Sequence, residues 1–297
     1  MKNHVVRIAP SPTGRLHIGT IRTAYHNWLI ARQHPENTFI VRIDDTDLKR
    51  NQEELIQPIF DTLETLGMDY DKTFRQSERF ARYAHVAKRL VDKGWAIEDE
   101  GCIRLNKDAE YLNVWCDWSD TITGEKSASE QIKEYAQNQV IMKSDGSPAY
   151  NFASTVDDFD ESVTWIVRGV DHISNTYKQA LIWRILNNVD LDNDKPLKSL
   201  PLFTHVGLVC HKTGKKLSKR DSDDIDLEGI SSEALLNYVL RLGWSPKEDT
   251  KENNIIDREK AIKLFLQGGN IKSSNAKIDL NKLDWYNKKY RNILKTA

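Results

Sequence analysis

One stretch near the amino terminus decides the fold: Val5-Val-Arg-Ile-Ala-Pro-Ser-Pro-Thr-Gly-Arg-Leu-His-Ile-Gly-Thr20. Its first five residues suit a buried strand, and the prolines and glycine that follow indicate a turn. Apolar residues then recur at helical spacing from Thr20 to Arg32, and Phe39 to Ile43 has the composition of a second strand. A strand, a crossover helix and a second strand form a β-α-β unit, so the sequence predicts parallel strands with helices on both faces of the sheet.

A weakly periodic region interrupts this alternation in the middle of the chain. Helices are predicted near Glu53 to Leu66 and Glu78 to Lys93, but between Ala96 and Ser147 the segments become short and polar. The run Lys143-Ser-Asp-Gly-Ser-Pro148 indicates a turn before apolar segments return. We therefore interpret this region as an insertion within a larger domain.

After the insertion the sheet is expected to resume and then give way to helices. Strands are predicted at Tyr150 to Val156, Val163 to Val167 and Phe203 to Cys210, with a helix over Thr176 to Leu186. A serine N-cap starts a helix near Ser232, and the remainder is predicted to be helical and increasingly basic. The fold class is therefore α/β: a Rossmann-type doubly wound parallel sheet, interrupted by a small α+β insertion and followed by a helical module.

These patterns divide the chain into four expected parts. Residues 1–80 and 149–225 form the two halves of the Rossmann domain, 81–148 the insertion and 226–297 the helical module. With 39% apolar and 29% charged residues, the 297-residue chain can bury a substantial core. Its 43 basic and 44 acidic residues nearly cancel, so a surface for nucleic acid would have to be a local patch.

Targeting segments and metal-binding cysteines are not expected. The amino terminus has no signal-peptide pattern, and no stretch approaches about eighteen apolar residues, so we expect a cytoplasmic protein without a membrane-spanning segment. Cys102, Cys116 and Cys210 are too few and too far apart for a disulfide framework or a tetrahedral zinc site. We expect structural cysteines and no structural zinc.

The turn before the first helix has the chemistry of a phosphate site. Backbone N–H groups and the helix dipole favour an anion there, Gly19 lets a nucleotide come close, and His17 can donate to phosphate oxygens. A second segment, Lys216-Leu-Ser-Lys-Arg220, could supply cations to a triphosphate from the opposite side. Alone, a histidine before a helix or a basic run is usually an ordinary surface feature, but together the two segments favour nucleotide binding.

The segments Pro10-Ser-Pro-Thr-Gly-Arg-Leu-His-Ile-Gly19 and Lys216-Leu-Ser-Lys-Arg220 resemble the two signature motifs of class I aminoacyl-tRNA synthetases in their glutamyl form. Further segments resemble the glutamyl-tRNA synthetase family in the same order: Phe39-Ile-Val-Arg-Ile-Asp-Asp-Thr-Asp47, Gln76-Ser-Glu-Arg79, Tyr150-Asn-Phe-Ala153, Val156-Asp-Asp158, Val167-Arg-Gly169 and Leu235-Leu-Asn-Tyr-Val-Leu-Arg-Leu-Gly-Trp-Ser-Pro246. The resemblance implies a two-step reaction. Glutamate attacks the α-phosphate of ATP, releasing pyrophosphate, and the terminal adenosine of tRNA then accepts the glutamyl group.

The resemblance also implies roles for the motif residues around ATP. His17 and Lys219 would stabilise the α-phosphate and the departing pyrophosphate, with Lys216 as a supporting cation and Mg²⁺ bridging the phosphates. The residues implied to bind ATP are His17, Gly19, Thr20, Asp171 and Lys219.

For glutamate, the resemblance implies a pocket with two arginines. Arg7 and Arg168 would clamp the side-chain carboxylate, because a guanidinium binds a carboxylate bidentately. Ser11, Asp44 and Tyr150 would complete the pocket, with Asp44 facing the substrate ammonium. Without the resemblance, the same residues are typical of buried ion pairs, a core aromatic and a solvated turn.

The chain departs from the family in three respects. The resemblance ends before the anticodon-binding region of complete bacterial glutamyl enzymes, so the sequence is expected to be either part of a longer chain or a short form like the glutamyl-queuosine tRNA synthetases. Its insertion is shorter than the family's acceptor-binding domain. Asp44 and Val170 stand where the family usually has glutamate.

We therefore expect a glutamate–tRNA ligase that acts as a monomer on L-glutamate, ATP and the acceptor stem of tRNA, without a membrane. Two alternatives stay open. One is glutamyl transfer to a modified tRNA nucleoside or a non-tRNA acceptor. The other is a non-catalytic paralogue that binds tRNA or amino acid, against which the presence of His17, Gly19 and Lys219 argues.

Overall fold

The computed structural model describes residues 3–47, 49–109, 117–127, 139–189, 197–215, 229–246, 255–267 and 269–296. Its strands are β1 (Val5–Ile8), β2 (Thr38–Ile43), β3 (Lys72–Arg75), β4 (Ala96–Asp99), β5 (Cys102–Leu105), β6 (Trp118–Asp120), β7 (Gly124–Lys126), β8 (Val140–Met142), β9 (Trp165–Gly169), β10 (Leu202–Val206), β11 (Val209–Cys210), β12 (Trp244–Pro246), β13 (Gly269–Ile271) and β14 (Ala276–Lys277). Its helices are α1 (Ile18–Ala31), α2 (Ile56–Thr65), α3 (Phe80–Asp92), α4 (Tyr150–Asp160), α5 (Ile173–Val189), α6 (Ser232–Arg241), α7 (Arg258–Gln267) and α8 (Leu280–Thr296).

The amino-terminal β-α-β unit is present as predicted. β1 and β2 are parallel, with Val5 opposite Thr38 and Ile8 opposite Val41, and α1 connects them. β3 continues the sheet in parallel on the other edge of β2. The helices predicted near 53–66, 78–93 and 176–186 are confirmed as α2, α3 and α5.

The second half of the sheet lies beside β1. β9, β10 and β6 are parallel neighbours, and β7 joins antiparallel at the far edge. The backbone N–H of Thr164, next to β9, donates to the carbonyl of Val5. The two hydrogen-bonded sheets, β3-β2-β1 and β9-β10-β6-β7, thus lie edge to edge at β1 and β9, and the direction in which the chain adds strands reverses between these two strands. Open α/β sheets bind their ligands at such a switch point, at the carboxyl ends of the strands.

The predicted strand at Tyr150 to Val156 is wrong, because this segment forms the first turns of α4. Every residue of α4 from Asn151 to Phe159 is buried, including Asp157 and Asp158. A helix buried on all sides has no polar face, so it lacks the one-sided apolar pattern by which helices are recognised. The charges that would mark a surface are instead paired inside the protein.

The single strand predicted over Phe203 to Cys210 is also wrong, since the segment is divided into β10 and β11. The division falls at Gly207, where an added Cβ atom would lie 2.2 Å from the carbonyl oxygen of Ser274. This close approach of two backbones turns the chain, and β11 pairs in parallel with β14 instead of continuing along β9. By pairing with β14, β11 connects the end of β10 to the carboxyl-terminal part of the chain.

Two apolar cores hold these parts together. The first packs β1, β2 and α1 against α6, α7 and α8, so the carboxyl-terminal helices share a core with the sheet. The second packs the antiparallel sheet β4-β5-β8 against α3, α4 and α5.

The helix predicted near Ser232 is confirmed as α6. Its N-cap is Ser231, whose side chain accepts from the N–H of Ala234. No helix within the described ranges has the length and apolar character needed to cross a bilayer.

Candidate active site

A cavity of ≈ 300 Å³ opens at the carboxyl ends of β1 and β9, beside the amino-terminal end of α1. Its volume is in the range of small-molecule sites, and its place is the switch point of the sheet. Every predicted site residue within the described ranges lines it: Arg7, Ser11, His17, Gly19, Thr20, Asp44, Tyr150, Arg168 and Asp171. Lys216 and Lys219 lie outside the described residues.

His17 caps the amino-terminal end of α1 at one side of the cavity. Its Nδ1 accepts from the backbone N–H of Thr20 at 3.2 Å, and its Nε2 lies 3.3 Å from the Thr20 hydroxyl oxygen. An Nδ1 that accepts leaves the proton of the neutral imidazole on Nε2. The first turn of α1 carries no acidic side chain, so an anion can approach its N–H groups without repulsion.

Gly19 leaves room for His17 above this turn. A Cβ atom at Gly19 would lie 3.0 Å from His17 Cε1 and 3.1 Å from Nδ1. A side chain here would therefore push the imidazole away from the helix end. Glycine at this position keeps both the ring and the backbone N–H groups accessible from the cavity.

A buried cluster of opposite charges forms the inner wall. Arg7 donates from Nε and Nη2 to both carboxylate oxygens of Asp158, each at 3.1 Å. Arg42 donates to Asp158 at 2.7 Å and to Asp44 at 2.6 Å. Ser154 accepts from Arg42 through its hydroxyl at 3.0 Å. The positive charges of both arginines are thus compensated within the protein, and Asp158 joins the two strands to α4.

The acidic members of this cluster differ in how strongly they hold a proton. Burial raises the pKa of Asp44 to about 6, against the opposing effect of Arg42. Burial would also raise the pKa of Asp158, but Arg7 and Arg42 hold it below its ordinary value. Both carboxyl groups are ionised at neutral pH, and Asp44 is the one that also lines the cavity.

Arg168 has a different environment from Arg7 and Arg42. Its Nη2 donates to the Thr176 hydroxyl oxygen at 2.6 Å, and its Nε points to His205 Nε2 at 3.3 Å. Within the described ranges it forms no ion pair with a carboxylate, and its Nη1 has no hydrogen-bond partner. Burial lowers the pKa of Arg168 to about 10, so the guanidinium remains charged at neutral pH. A buried cation without a counter-ion is costly, and an anionic ligand would compensate it.

Tyr150 and Asp171 lie on the outer wall. Tyr150, at the amino-terminal end of α4, is 40% exposed, and its hydroxyl lies 3.4 Å from His172 Nδ1. Asp171 sits in a short 3₁₀ turn after β9. A Cβ atom at Gly169 would lie 2.4 Å from Asp171 Oδ1, so only glycine lets this carboxylate fold back over the end of β9.

Several residues of the site were not predicted from the sequence. Asp158 was part of a quoted motif but received no role, although an acidic pair in an apolar segment indicates buried cationic partners. Arg42 was also part of a quoted motif without a role, and it pairs both with Asp44, two residues along the chain, and with Asp158 on α4. Thr176 and His205 have partners on other elements, and no local pattern marks them. The contacts of Arg42 with Asp158 and of His205 with Asp120 arise only when distant segments of the chain come together.

Among the described residues, no group of three or more His, Cys, Asp or Glu side chains is arranged to hold a metal ion. Cys102 and Cys210 are free thiols, and Cys116 lies outside the described residues.

The chain matches known proteins in sequence and in structure. The family model described as "tRNA synthetases class I (E and Q), catalytic domain" matches residues 4–101 and 97–285. A protein of Neorickettsia sennetsu named "Glutamate--tRNA ligase 2" is 40% identical over 96% of this chain and 66% of its own length. A protein of the same name from the Wolbachia of Brugia malayi is 38% identical over 98% of this chain and 68% of its own. The chain thus spans about two thirds of these relatives.

A solved structure agrees with the fold. The crystal structure of a glutamate tRNA ligase from Elizabethkingia meningosepticum, in complex with its amino acid, matches with a TM-score of 0.80. The two chains are 25% identical, and the match covers 98% of this chain and 70% of the other. The family model and the solved structure both match over most of the chain, and both are consistent with the doubly wound sheet. This chain belongs to the class I aminoacyl-tRNA synthetases, in the branch that comprises the glutamate and glutamine enzymes.

Proposed function

We propose that this chain activates L-glutamate with ATP to form glutamyl adenylate and transfers the glutamyl group to the 3' end of tRNA. Glutamate is favoured as the substrate by the environment of Arg168. Its guanidinium is buried at the cavity and has no carboxylate partner among the described residues. A neutral glutamine side chain would leave this charge without compensation. The names of the relatives support the same substrate.

In this proposal ATP binds at the amino-terminal end of α1. His17 Nε2–H and the N–H groups of the first turn donate to the phosphate oxygens, and that turn itself carries no acidic side chain. Lys216 and Lys219, which lie outside the described residues, would supply cations to the phosphates as the sequence motif implies, and Asp171 would accept from the ribose. Mg²⁺ accompanies ATP on its phosphates. The first step is then an attack of the glutamate α-carboxylate on the α-phosphate, with pyrophosphate leaving.

The amino acid lies between the inner and outer walls of the cavity. Arg168 binds the side-chain carboxylate of glutamate. Asp44, whose carboxylate is also paired with Arg42, faces the substrate ammonium group. Two N–H donors of Arg7, at Nε and Nη2, are occupied by Asp158. Arg7 therefore contributes to glutamate binding through its remaining N–H groups and its positive charge. Ser11 and Tyr150 close the pocket. Binding is therefore a matter of fixed charges that are in place before the substrate arrives.

The acceptor and the wider setting are part of the proposal. The parts expected at 81–148 and 226–297 would contact the acceptor stem and the adjoining tRNA, and the protein would act as a cytoplasmic monomer. Transfer to a modified nucleoside or a non-tRNA acceptor and a non-catalytic role are less favoured, because the relatives are named glutamate--tRNA ligases.

Amino-acid-dependent pyrophosphate exchange into ATP tests the proposed function. We expect exchange with glutamate in the presence of total tRNA, at a kcat/KM at least a hundredfold above that with glutamine. The exchange rates measured with and without tRNA distinguish a tRNA acceptor from other acceptors. Exchange in the absence of tRNA would indicate another acceptor. Exchange with glutamine alone, or with neither amino acid, would contradict the proposal.

Gly19→Ala is expected to lower exchange about tenfold through the KM for ATP, because the added Cβ displaces His17 by a few tenths of an ångström. Alanine has the higher helix propensity, so the thermal unfolding midpoint should not fall. Exchange assays over a range of ATP concentrations, with thermal unfolding of both proteins, check this. Full activity with a raised midpoint would contradict the close approach of the nucleotide to Gly19.

A further inference from the structure

Arg168 is oriented by a chain of three buried polar side chains. Asp120 Oδ2 lies 2.8 Å from His205 Nδ1, and His205 Nε2 lies 2.9 Å from the Thr176 hydroxyl oxygen. Thr176 in turn accepts from Arg168 Nη2 at 2.6 Å. These residues come from β6, β10 and α5, and all are buried. We call Asp120, His205 and Thr176 the Arg168 relay.

The chemistry of the groups fixes the direction of the hydrogen bonds at the two ends of the relay, at Asp120 and at Arg168. Burial would raise the pKa of Asp120, but hydrogen bonds from His205 and from the backbone N–H groups of Thr123 and Ile122 lower it to about 2. An ionised carboxylate only accepts, so His205 carries its proton on Nδ1 and presents a lone pair at Nε2. That lone pair faces two donors, the Thr176 hydroxyl at 2.9 Å and Arg168 Nε–H at 3.3 Å. The Thr176 hydroxyl can donate to His205 Nε2 or to the His172 carbonyl oxygen at 3.3 Å, and in either case its oxygen accepts from Arg168 Nη2.

The relay aligns Arg168 without cancelling its charge. Arg7 and Arg42 are held directly by carboxylates, whereas the hydrogen bonds of Arg168 within the described part of the chain go to a hydroxyl and an imidazole. The negative charge of Asp120 lies beyond the imidazole and is taken up by donors of its own. Phe203 adds a flat support, with its ring 5.6 Å from the Arg168 guanidinium carbon and stacked on His205.

We propose that the Arg168 relay is a set of positioning residues that sets selectivity for an anionic substrate side chain. Neutral acceptors hold the guanidinium plane in place, and its full charge is left for the ligand carboxylate. The selectivity part of this inference rests on the proposed function, while the orientation of Arg168 is independent of it. A carboxylate at either neutral position would pair with the guanidinium and remove the preference for an anion.

Thr176 offers a matched pair of variants. Thr176→Val has nearly the same shape but no hydroxyl, so it breaks the relay with little change in packing. Thr176→Ser retains the hydroxyl. We expect Thr176→Val to raise the KM for glutamate about tenfold and to lower the preference for glutamate over glutamine by a similar factor. Its KM for ATP and its kcat at saturating glutamate should stay within about threefold, and Thr176→Ser should restore the KM for glutamate.

A purely structural role for Thr176 predicts a different pattern. Loss of stability would lower the active fraction, which reduces the rate with every substrate and leaves each KM unchanged. An unchanged glutamate KM and unchanged amino-acid preference in Thr176→Val would overturn the proposal.

The side-chain ¹⁵N–¹H signal of Arg168 Nε separates this inference from the proposed function, because it is measured without substrate. We expect a slowly exchanging signal in the wild type and in Thr176→Ser, and at least tenfold faster hydrogen exchange in Thr176→Val. Equal exchange in all three proteins would overturn the relay even if the wild type uses glutamate. A wild type that uses no glutamate would instead overturn the proposed function and the selectivity part, while the signal still decides whether the relay orients Arg168.

Discussion

Arg168→Ala is expected to lower kcat/KM for glutamate in pyrophosphate exchange about a thousandfold. Removal of one member of a buried, hydrogen-bonded charge pair costs about 3–5 kcal/mol, and each 1.4 kcal/mol is a factor of ten. The loss should be specific, because the groups proposed to bind the phosphates of ATP lie at the start of α1 and do not include Arg168. We expect ATP binding within about threefold of the wild type, measured by calorimetric titration with a non-hydrolysable ATP analogue.

Two further arginine variants sharpen this test. Arg168→Lys keeps the charge but loses the planar fork, so an intermediate loss of about thirtyfold is expected. Arg32→Ala is the control, because Arg32 ends α1 away from the cavity and pairs with Asp69 and Asp71. Its exchange activity should be unchanged. Glutamate kinetics that are the same in Arg168→Ala and the wild type would remove Arg168 as the side-chain clamp.

Asp158→Asn is expected to reduce the free energy of unfolding by about 3–5 kcal/mol. Asp158 accepts from both Arg7 and Arg42, and it is the carboxylate with which Arg7 pairs within the described ranges. The asparagine removes the charge and turns one acceptor into a donor that faces a guanidinium. Arg42 retains Asp44, so the main damage is an uncompensated buried charge at Arg7.

Denaturant unfolding of Asp160→Asn provides the matched control. Asp160 lies on the same helix and also pairs with two arginines, Arg79 and Arg82, but all three side chains are partly exposed. Partly exposed pairs are worth about 1 kcal/mol or less, so this variant should lose far less stability than Asp158→Asn. Equal losses in the two variants would mean that the buried cluster is not the element that holds β1, β2 and α4 together.

The local patterns of the sequence were enough to locate the site. A strand, a Pro/Gly turn and a histidine before a helix predicted a β-α-β unit and an anion site at α1. The β-α-β unit is confirmed, and His17 lies at the start of α1, where the anion site remains a prediction. The order of the motifs indicated the family over nearly the whole chain, and the family match agrees. Each of these signals lies within a short segment, where spacing and residue type are sufficient.

Prediction was wrong where burial removed the usual pattern. α4 was predicted as a strand, because its helical period is hidden when Asp157 and Asp158 are buried in ion pairs. β10 and β11 were predicted as one strand, because the contact that separates them is made with a segment far along the chain at Ser274.

The sequence by itself determined the parallel β-α-β unit and the position of His17 at the start of α1, because these depend on neighbours within a few turns of the chain. Only the tertiary structure decided which charges remain available to a ligand. Arg7, Arg42 and Arg168 are alike as residues on strands, yet Asp158 on α4 compensates the first two, whereas neutral Thr176 and His205 hold the third. The pairing of a buried charge depends on which distant side chains fold against it, and that is a property of the assembled sheet and helices.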